Sequence, residues 1–236
     1  MFDGRWRAAV DRSTGPAGEA LVRRGVTADV LTASGLVMAG ITAVVVATGH
    51  LLVAIPLLAL TGFHDLLDGP VAKAGGTASV RGAFFDSVAD RVADAVIMAG
   101  VAWYLVSQGE GHLAVLPLAI LGVTSLVSYE RAKAEALGLE AKGGLMERAE
   151  RMILLGVGFL APWLLVPVLW VLFGLITLTA AGRFVKVWRA AEGPAPRAVP
   201  AGAVAEATPA RARWRQGKVE SRWRARRQGV SAWPGS

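Results

Sequence analysis

The chain has 236 residues, 54% of them hydrophobic, and a mean hydropathy of +0.48. That balance is too apolar for an ordinary soluble domain and fits one domain with several membrane spans. Cysteine is absent, which excludes disulfides, thiolate metal sites and cysteine nucleophiles. The formal charge of +7 is concentrated at the end of the chain, where Ala191 to Ser236 hold nine Lys or Arg against three Glu. A basic excess confined to a tail says little about the apolar body, and no nucleic-acid partner is expected.

In chain order, residues 1–25 are laced with arginine and have no apolar core of the kind a secretory signal needs. They read as an amphipathic, interfacial helix with Phe2, Trp6, Ala9 and Val10 on one side. Six apolar segments follow within residues 26–190. The first runs from Val30 to Gly49, with Thr27 and Asp29 before it as capping residues, and the second from Leu51 to Gly69. The third starts near Phe84 and ends near Ser107, and the fourth spans His112 to about Ala134. The fifth covers Arg148 to Leu160 and continues to Trp163, and the sixth runs from Leu164 to Val187. Most approach the ~20 residues that cross a bilayer core. Residues 191–236 are rich in Pro, Ala and Arg without apolar periodicity and read as a disordered tail. The expected fold is therefore an all-α membrane protein with six transmembrane helices.

The connections near His50, Gln108 to His112 and Ala161 to Pro167 carry no Lys or Arg, whereas the opposite side carries many. The positive-inside rule places both termini and the stretch from Asp65 to Asp90 in the cytoplasm of a multi-pass cell-membrane protein.

That stretch holds Asp65, Asp68, Asp86 and Asp90. Asp65 and Asp68 are three apart, and Asp86 and Asp90 four apart, so each pair shares a helix face. Four carboxylates at a membrane boundary are costly unless cations lie among them. An oxygen-only donor set suits hard divalent cations, and two such ions can grip a pyrophosphate. Between the pairs the residues from Gly69 to Gly82 read as a glycine-rich loop with hydroxyls on Thr77 and Ser79 and cations on Lys73 and Arg81. A polar connection with capping aspartates is the plainer alternative. His64 reads as a polar helix end, and Asp94 as an extension of the acidic face or a partner of Arg91. A second set of cations, Arg131, Lys133, Arg148, Arg151 and Arg183, falls at the same ends of the later helices. They mark either a pocket for a phosphorylated small molecule or topology alone.

The run Asp65-Leu-Leu-Asp68-Gly69-Pro-Val-Ala72-Lys73, eight residues, then Gly82-Ala-Phe-Phe-Asp86-Ser-Val-Ala-Asp90, resembles the signature of the CDP-alcohol phosphatidyltransferases. That signature reads D-x-x-D-G-x-x-A-R-x(7–8)-G-x-x-x-D-x-x-x-D, and the spacing here fits throughout. Lys73 departs from it, standing where the family usually has Arg and keeping the charge without the bidentate geometry. The resemblance extends over about residues 20–190. Within the family, Ser128 to Ala136 and Gly143 to Arg151 look like the actinobacterial phosphatidylinositol phosphate synthases.

The resemblance implies transfer of a phosphatidyl group from CDP-diacylglycerol to inositol phosphate, with release of CMP. It implies a divalent cofactor, Mg²⁺ or alternatively Mn²⁺, as two ions on Asp65, Asp68, Asp86 and Asp90, with Asp90 also the general base. It assigns Asp29, Val30, Leu31, Thr32, Gly69, Lys73 and Ser79 to CDP-diacylglycerol. It assigns Arg131, Arg151 and Arg183, with Arg148 adjacent, to the acceptor phosphate, and it implies a homodimer. The alternatives are glycerol 3-phosphate as acceptor, a non-catalytic membrane paralogue, or a divalent-cation transporter.

Overall fold

The computed structural model describes residues 15–77, 79–139, 146 and 148–192. All regular structure among them is helical: α1 over residues 15–23, then α2 (Ala28–Ala47), α3 (Leu51–Ala74) and α4 (Val80–Ser107). A 3₁₀ turn at Gly111–Ala114 leads into α5 (Val115–Ala136), followed by α6 (Arg148–Gly158) and α7 (Pro162–Ala191). The expected interfacial residues Phe2 to Val10 and the basic tail lie outside the described residues.

Local chemistry explains the boundaries. Thr27 caps α2 by accepting the Val30 amide at 3.3 Å, and Asp29 adds a negative charge to its first turn. Ser79 caps α4 by accepting the Gly82 amide at 3.0 Å. Gly49, Gly76 and Gly109 take positive φ where the chain leaves α2, α3 and α4. Pro162 opens α7 at a position where a helix needs no amide donor.

Helices α2, α3 and α7, and α5 together with its 3₁₀ lead-in, are long and apolar enough to cross a membrane. Only 28% to 39% of each apolar window is buried inside the protein, so most of that surface is apolar side chains facing outward, as lipid requires. This is an all-helical membrane protein. Helix α4 has the length but carries Arg81, Asp86, Asp90, Arg91 and Asp94 between its start and its middle, and α6 has only 11 residues.

Three boundaries differ from the sequence expectation. Helix α3 does not stop at Gly69; it runs through Pro70 to Ala74. Proline removes one helical amide donor, and the packed surroundings of a membrane bundle tolerate that loss. The anticipated loop from Gly69 to Gly82 therefore shrinks to the link between Ala74 and Val80. Helix α4 begins four residues before Phe84. The fifth segment breaks after Gly158, and Trp163 belongs to α7.

Helix α2 packs mainly on α4 and α3, while α7 packs on α5 and α6; contacts of α4 with α5 and of α3 with α6 join these groups. One core runs through both, from Ala39, Val46 and Leu58 to Phe159, Leu169 and Ile176. A smaller cluster of Leu31, Leu67 and Val71 receives Ala17, Leu21 and Val22 of α1, so α1 seals the ends of α2 and α3. Close approaches need glycine. A Cβ on Gly100 would fall 2.5 Å from the Ala43 carbonyl oxygen, where α4 crosses α2 backbone to backbone.

Gly100→Ala is therefore expected to lower the Tm of the detergent-solubilised protein, at an overpacking cost of about 1–3 kcal/mol. Gly122→Ala, on α5 with open space around it, should not lower it. Equal behaviour of the two in a thermal-shift measurement would contradict the tight α2–α4 crossing.

Candidate active site

The site forms where α3, α4 and α6 meet. The three- and four-residue spacings put Asp65 and Asp68 on one face of α3, and Asp86 and Asp90 on one face of α4. Those faces meet: ligand oxygens of Asp65, Asp68 and Asp86 all lie within 4.8 Å of one another. Asp90, one turn further along α4, borders the same cleft, together with Thr32 of α2, Thr61 and His64 of α3 and Arg148 of α6. Gly35 lets α2 approach this wall, since a Cβ there would lie 3.2 Å from the Cβ of His64. His64 is not at a helix end; its Nδ1 lies 2.8 Å from the Leu60 carbonyl, inside α3.

Arg148 sits among the carboxylates. Its Nη1 donates to Asp65 Oδ1 at 2.9 Å and also to Asp90 Oδ1. Its Nε lies 3.7 Å from Asp94 Oδ1. Asp94 is a hub in its own right, with a side chain only 8% exposed. It accepts from Arg151 Nη2 at 3.2 Å and lies 3.6 Å from Arg91 Nη2. Arg91 in turn donates to Ser128 Oγ of α5. Buried charge of this kind is tolerated only when paired, and the pairs here link α4 to α5 and α6.

Of the other residues singled out from the sequence, Arg151 joins this network through Asp94. Arg183 reaches from α7 to α5, donating to the Val127 carbonyl at 2.8 Å. Arg131 pairs with Glu135 of its own helix at 2.9 Å, both about half exposed. Asp29 lies beside the α4 cap: its Oδ1 would be 3.6 Å from a Cβ on Gly82, next to Ser79 Oγ. Thr32 lines the cleft, Leu31 is buried in the packing with Leu67 and Val71, and Val30 is exposed. Gly69 and Lys73 are exposed on the last turns of α3. The central position of Arg148 and the hub role of Asp94 were not evident from the sequence. The local signals were the four-residue step from Asp90 to Asp94, which extends the acidic face, and the expected partnership of Asp94 with Arg91, which the 3.6 Å contact bears out.

With this geometry in place, comparison with known proteins is decisive. The family model of the CDP-alcohol phosphatidyltransferases matches residues 25–188. The chain belongs to that family. It is therefore an enzyme, and the matched span covers every helix from α2 to α6 and most of α7.

Its similarity to individual members is substantial. It is 36% identical over 185 residues to the phosphatidylinositol phosphate synthase of Mycobacteroides abscessus, covering 75% of this chain and 84% of that protein. It is also 36% identical over 174 residues to the archaetidylinositol phosphate synthase of Methanothermobacter thermautotrophicus, covering 71% and 86%. Its fold matches the crystal structure of Mycobacterium tuberculosis phosphatidylinositol phosphate synthase with CDP-DAG bound. The TM-score is 0.68 at 29% identity, over 75% of this chain and 94% of that one. A second structure of that synthase, in complex with manganese and citrate, matches with a TM-score of 0.66 at 29% identity, over 74% of this chain and 88% of that one.

The residues present fit a divalent cation. All the donors are carboxylate oxygens, which hard cations prefer. Asp86 Oδ1 is buried without a hydrogen-bond partner, the condition of a ligand atom that protein donors do not satisfy. Asp86→Asn should therefore weaken Mn²⁺ binding by about ten-fold or more. The same change removes one of several crowded negative charges, so the metal-free Tm should hold or rise. Titration of Mn²⁺ by electron paramagnetic resonance, beside a thermal scan in chelator, reads both effects.

Proposed function

We propose that the chain is a phosphatidylinositol phosphate synthase, joining CDP-diacylglycerol to inositol phosphate and releasing CMP. The observation that carries this reading is the meeting of Asp65, Asp68 and Asp86 within 4.8 Å, with Asp90 and a buried arginine network beside them. The acidic half suits a metal-held pyrophosphate and the basic half a phosphorylated acceptor. The named relatives make inositol phosphate lipids, which favours inositol phosphate over glycerol 3-phosphate. Membership of a family of transferases speaks against a non-catalytic paralogue and a cation transporter.

Asp65, Asp68 and Asp86, with Asp90, would hold two divalent ions, Mg²⁺ or Mn²⁺. Bound there, such ions supply charge neutralisation at the pyrophosphate and at the departing CMP phosphate. The chain's own residues do the rest. Asp90 accepts the proton of the acceptor hydroxyl as its oxygen attacks the phosphorus that carries diacylglycerol. The new P–O bond forms as the bond from that phosphorus to the oxygen bridging to CMP breaks, and CMP leaves with that oxygen. Arg151, Arg183, Arg131 and Arg148 hold the acceptor phosphate. Thr32, Ser79 and Lys73, with the backbone at Asp29 to Leu31 and at Gly69, hold the CDP moiety. Small residues at Gly69 and Gly75 leave room for the nucleotide at the helix surface.

In this reading α2 to α7 are six spans of one membrane domain over residues 26–190. Residues 1–25 precede that domain and residues 191–236 follow it. The polar faces of α4 turn inward to the cleft, and both termini and the site face the cytoplasm. Lipid enters the site between helices at headgroup level, and the working unit is a homodimer.

Two experiments test this. Purified protein given CDP-diacylglycerol, Mg²⁺ and a panel of acceptors should form product with inositol phosphate, and Asp90→Asn should lose turnover by at least about a hundred-fold. Product with glycerol 3-phosphate alone would move the assignment to a phosphatidylglycerophosphate synthase, and near-normal activity of Asp90→Asn would remove the base. Because the chain lacks cysteine, Gln108→Cys and Thr77→Cys report topology cleanly. An impermeant maleimide should label the first on intact cells and the second only after permeabilisation.

A further inference from the structure

Arg148 occupies a position that a metal cofactor would contest. One guanidinium nitrogen serves both Asp65 and Asp90, carboxylates from two different helices. Asp65 is also one of the three carboxylates whose oxygens converge as a cation site. A divalent ion drawn to Asp65 and a guanidinium hydrogen-bonded to it repel each other across a few ångströms of poorly screened interior. Both cannot hold that carboxylate at full strength.

The second observation is where Arg148 stands in its helix. It is the first described residue of α6, in the turn where a helix is positive at its amide end. A cation is disfavoured there, so its position depends on the carboxylates facing it. The third observation is an alternative seat. Arg148 Nε is buried without a hydrogen-bond partner and lies 3.7 Å from Asp94 Oδ1. Asp94 is outside the converging trio and already holds Arg91 and Arg151. A swing of about an ångström would give Arg148 Nε a full bond to Asp94, and a further rotation of the guanidinium would carry Nη1 off Asp65 and Asp90.

We propose that Arg148 is the resident counter-cation of the acidic site, occupying Asp65 and Asp90 in the metal-free chain and displaced onto Asp94 when divalent metal binds. It keeps the emptied cluster from repelling itself apart. On metal entry it is released on the side of Arg151, so an anion gains this guanidinium only after the metal is seated. Arg148 acts here as a positioning residue. The inference rests on the reading of the aspartates as a metal site and adds a competitor to it.

The test uses the full-length protein in detergent with no substrate present and reads Mn²⁺ affinity by electron paramagnetic resonance. Removing a competitor must tighten metal binding, whereas losing a purely structural residue would weaken it or leave it alone. Arg148→Gln is expected to bind Mn²⁺ about five-fold or more tighter than the unaltered chain. Equal or weaker affinity would overturn the proposal while leaving the metal site standing. No Mn²⁺ binding by either chain would overturn the metal reading and this inference together. Should Arg148→Gln fail to fold, the unaltered protein still decides. Phenylglyoxal modification, followed peptide by peptide, should speed up at Arg148 under saturating Mn²⁺ and stay constant at Arg131. An unchanged or slower reaction at Arg148 would rule out its displacement.

Discussion

Carboxylates brought within 4.8 Å of each other inside a membrane domain repel, and positive charge in reach of α3 and α4 offsets that repulsion. Several structural features answer this constraint. Arg148 is placed at the very start of α6, against Asp65 and Asp90. Arg91 and Arg151 converge on Asp94, one turn beyond Asp90. Acids and bases alternate across the interface of α4 with α6, so the charge that would split the bundle instead ties it. Breaking one member of such a set leaves the others buried and unpaired, which costs more than the intact pair contributes.

The steric frame beneath this network is made of small residues. Gly100 admits the Ala43 carbonyl, Gly35 admits His64, and Gly18 admits the backbone of Pro70, each at a distance a Cβ would violate or crowd. The first two approaches fix α2 against α4 and α3, the helices that carry the aspartates, and the third fixes α1 against α3. In a lipid environment apolar burial gives little drive for one helix to choose another, so close backbone contact and polar pairing must decide. Helix α1 packing over Pro70 then covers the turn where α3 lacks an amide donor.

Much of this was legible in the sequence, for a physical reason. Helical periodicity assigns Asp65 with Asp68, and Asp86 with Asp90, to common faces before any packing is known. The spacing of the carboxylates and glycines identified the family, and the hydropathy pattern gave the long apolar helices. What stayed hidden depends on which faces meet. Nothing local says that Arg148 will lie against Asp65, 83 positions away in the chain, or that Asp94, beside Arg91, will also collect Arg148 and Arg151. The passage of α3 through Gly69 and Pro70 was hidden for the opposite reason. A Gly-Pro pair is a strong local stop signal, and tertiary packing overrode it.

That override changes the geometry of the residues proposed for the nucleotide. With α3 intact to Ala74, Asp65, Gly69 and Lys73 are successive four-residue steps along one stripe of a single helix. Lys73 then stands about 12 Å from Asp65 along the axis, with only glycine between them on that stripe. A loop would have let the lysine wander, but a helix holds its Cα at a fixed distance and leaves only the flexible side chain to adjust. The cation also sits in the last turn, where the carbonyl end of the helix favours it. Opposite, Ser79 uses its oxygen to accept the Gly82 amide, which leaves its hydroxyl proton to donate outward. A rigid stripe with an acid at one end and an adjustable cation at the other needs less of the planar, bidentate geometry that arginine provides. The lysine at this position is consistent with a helix that already does the aiming.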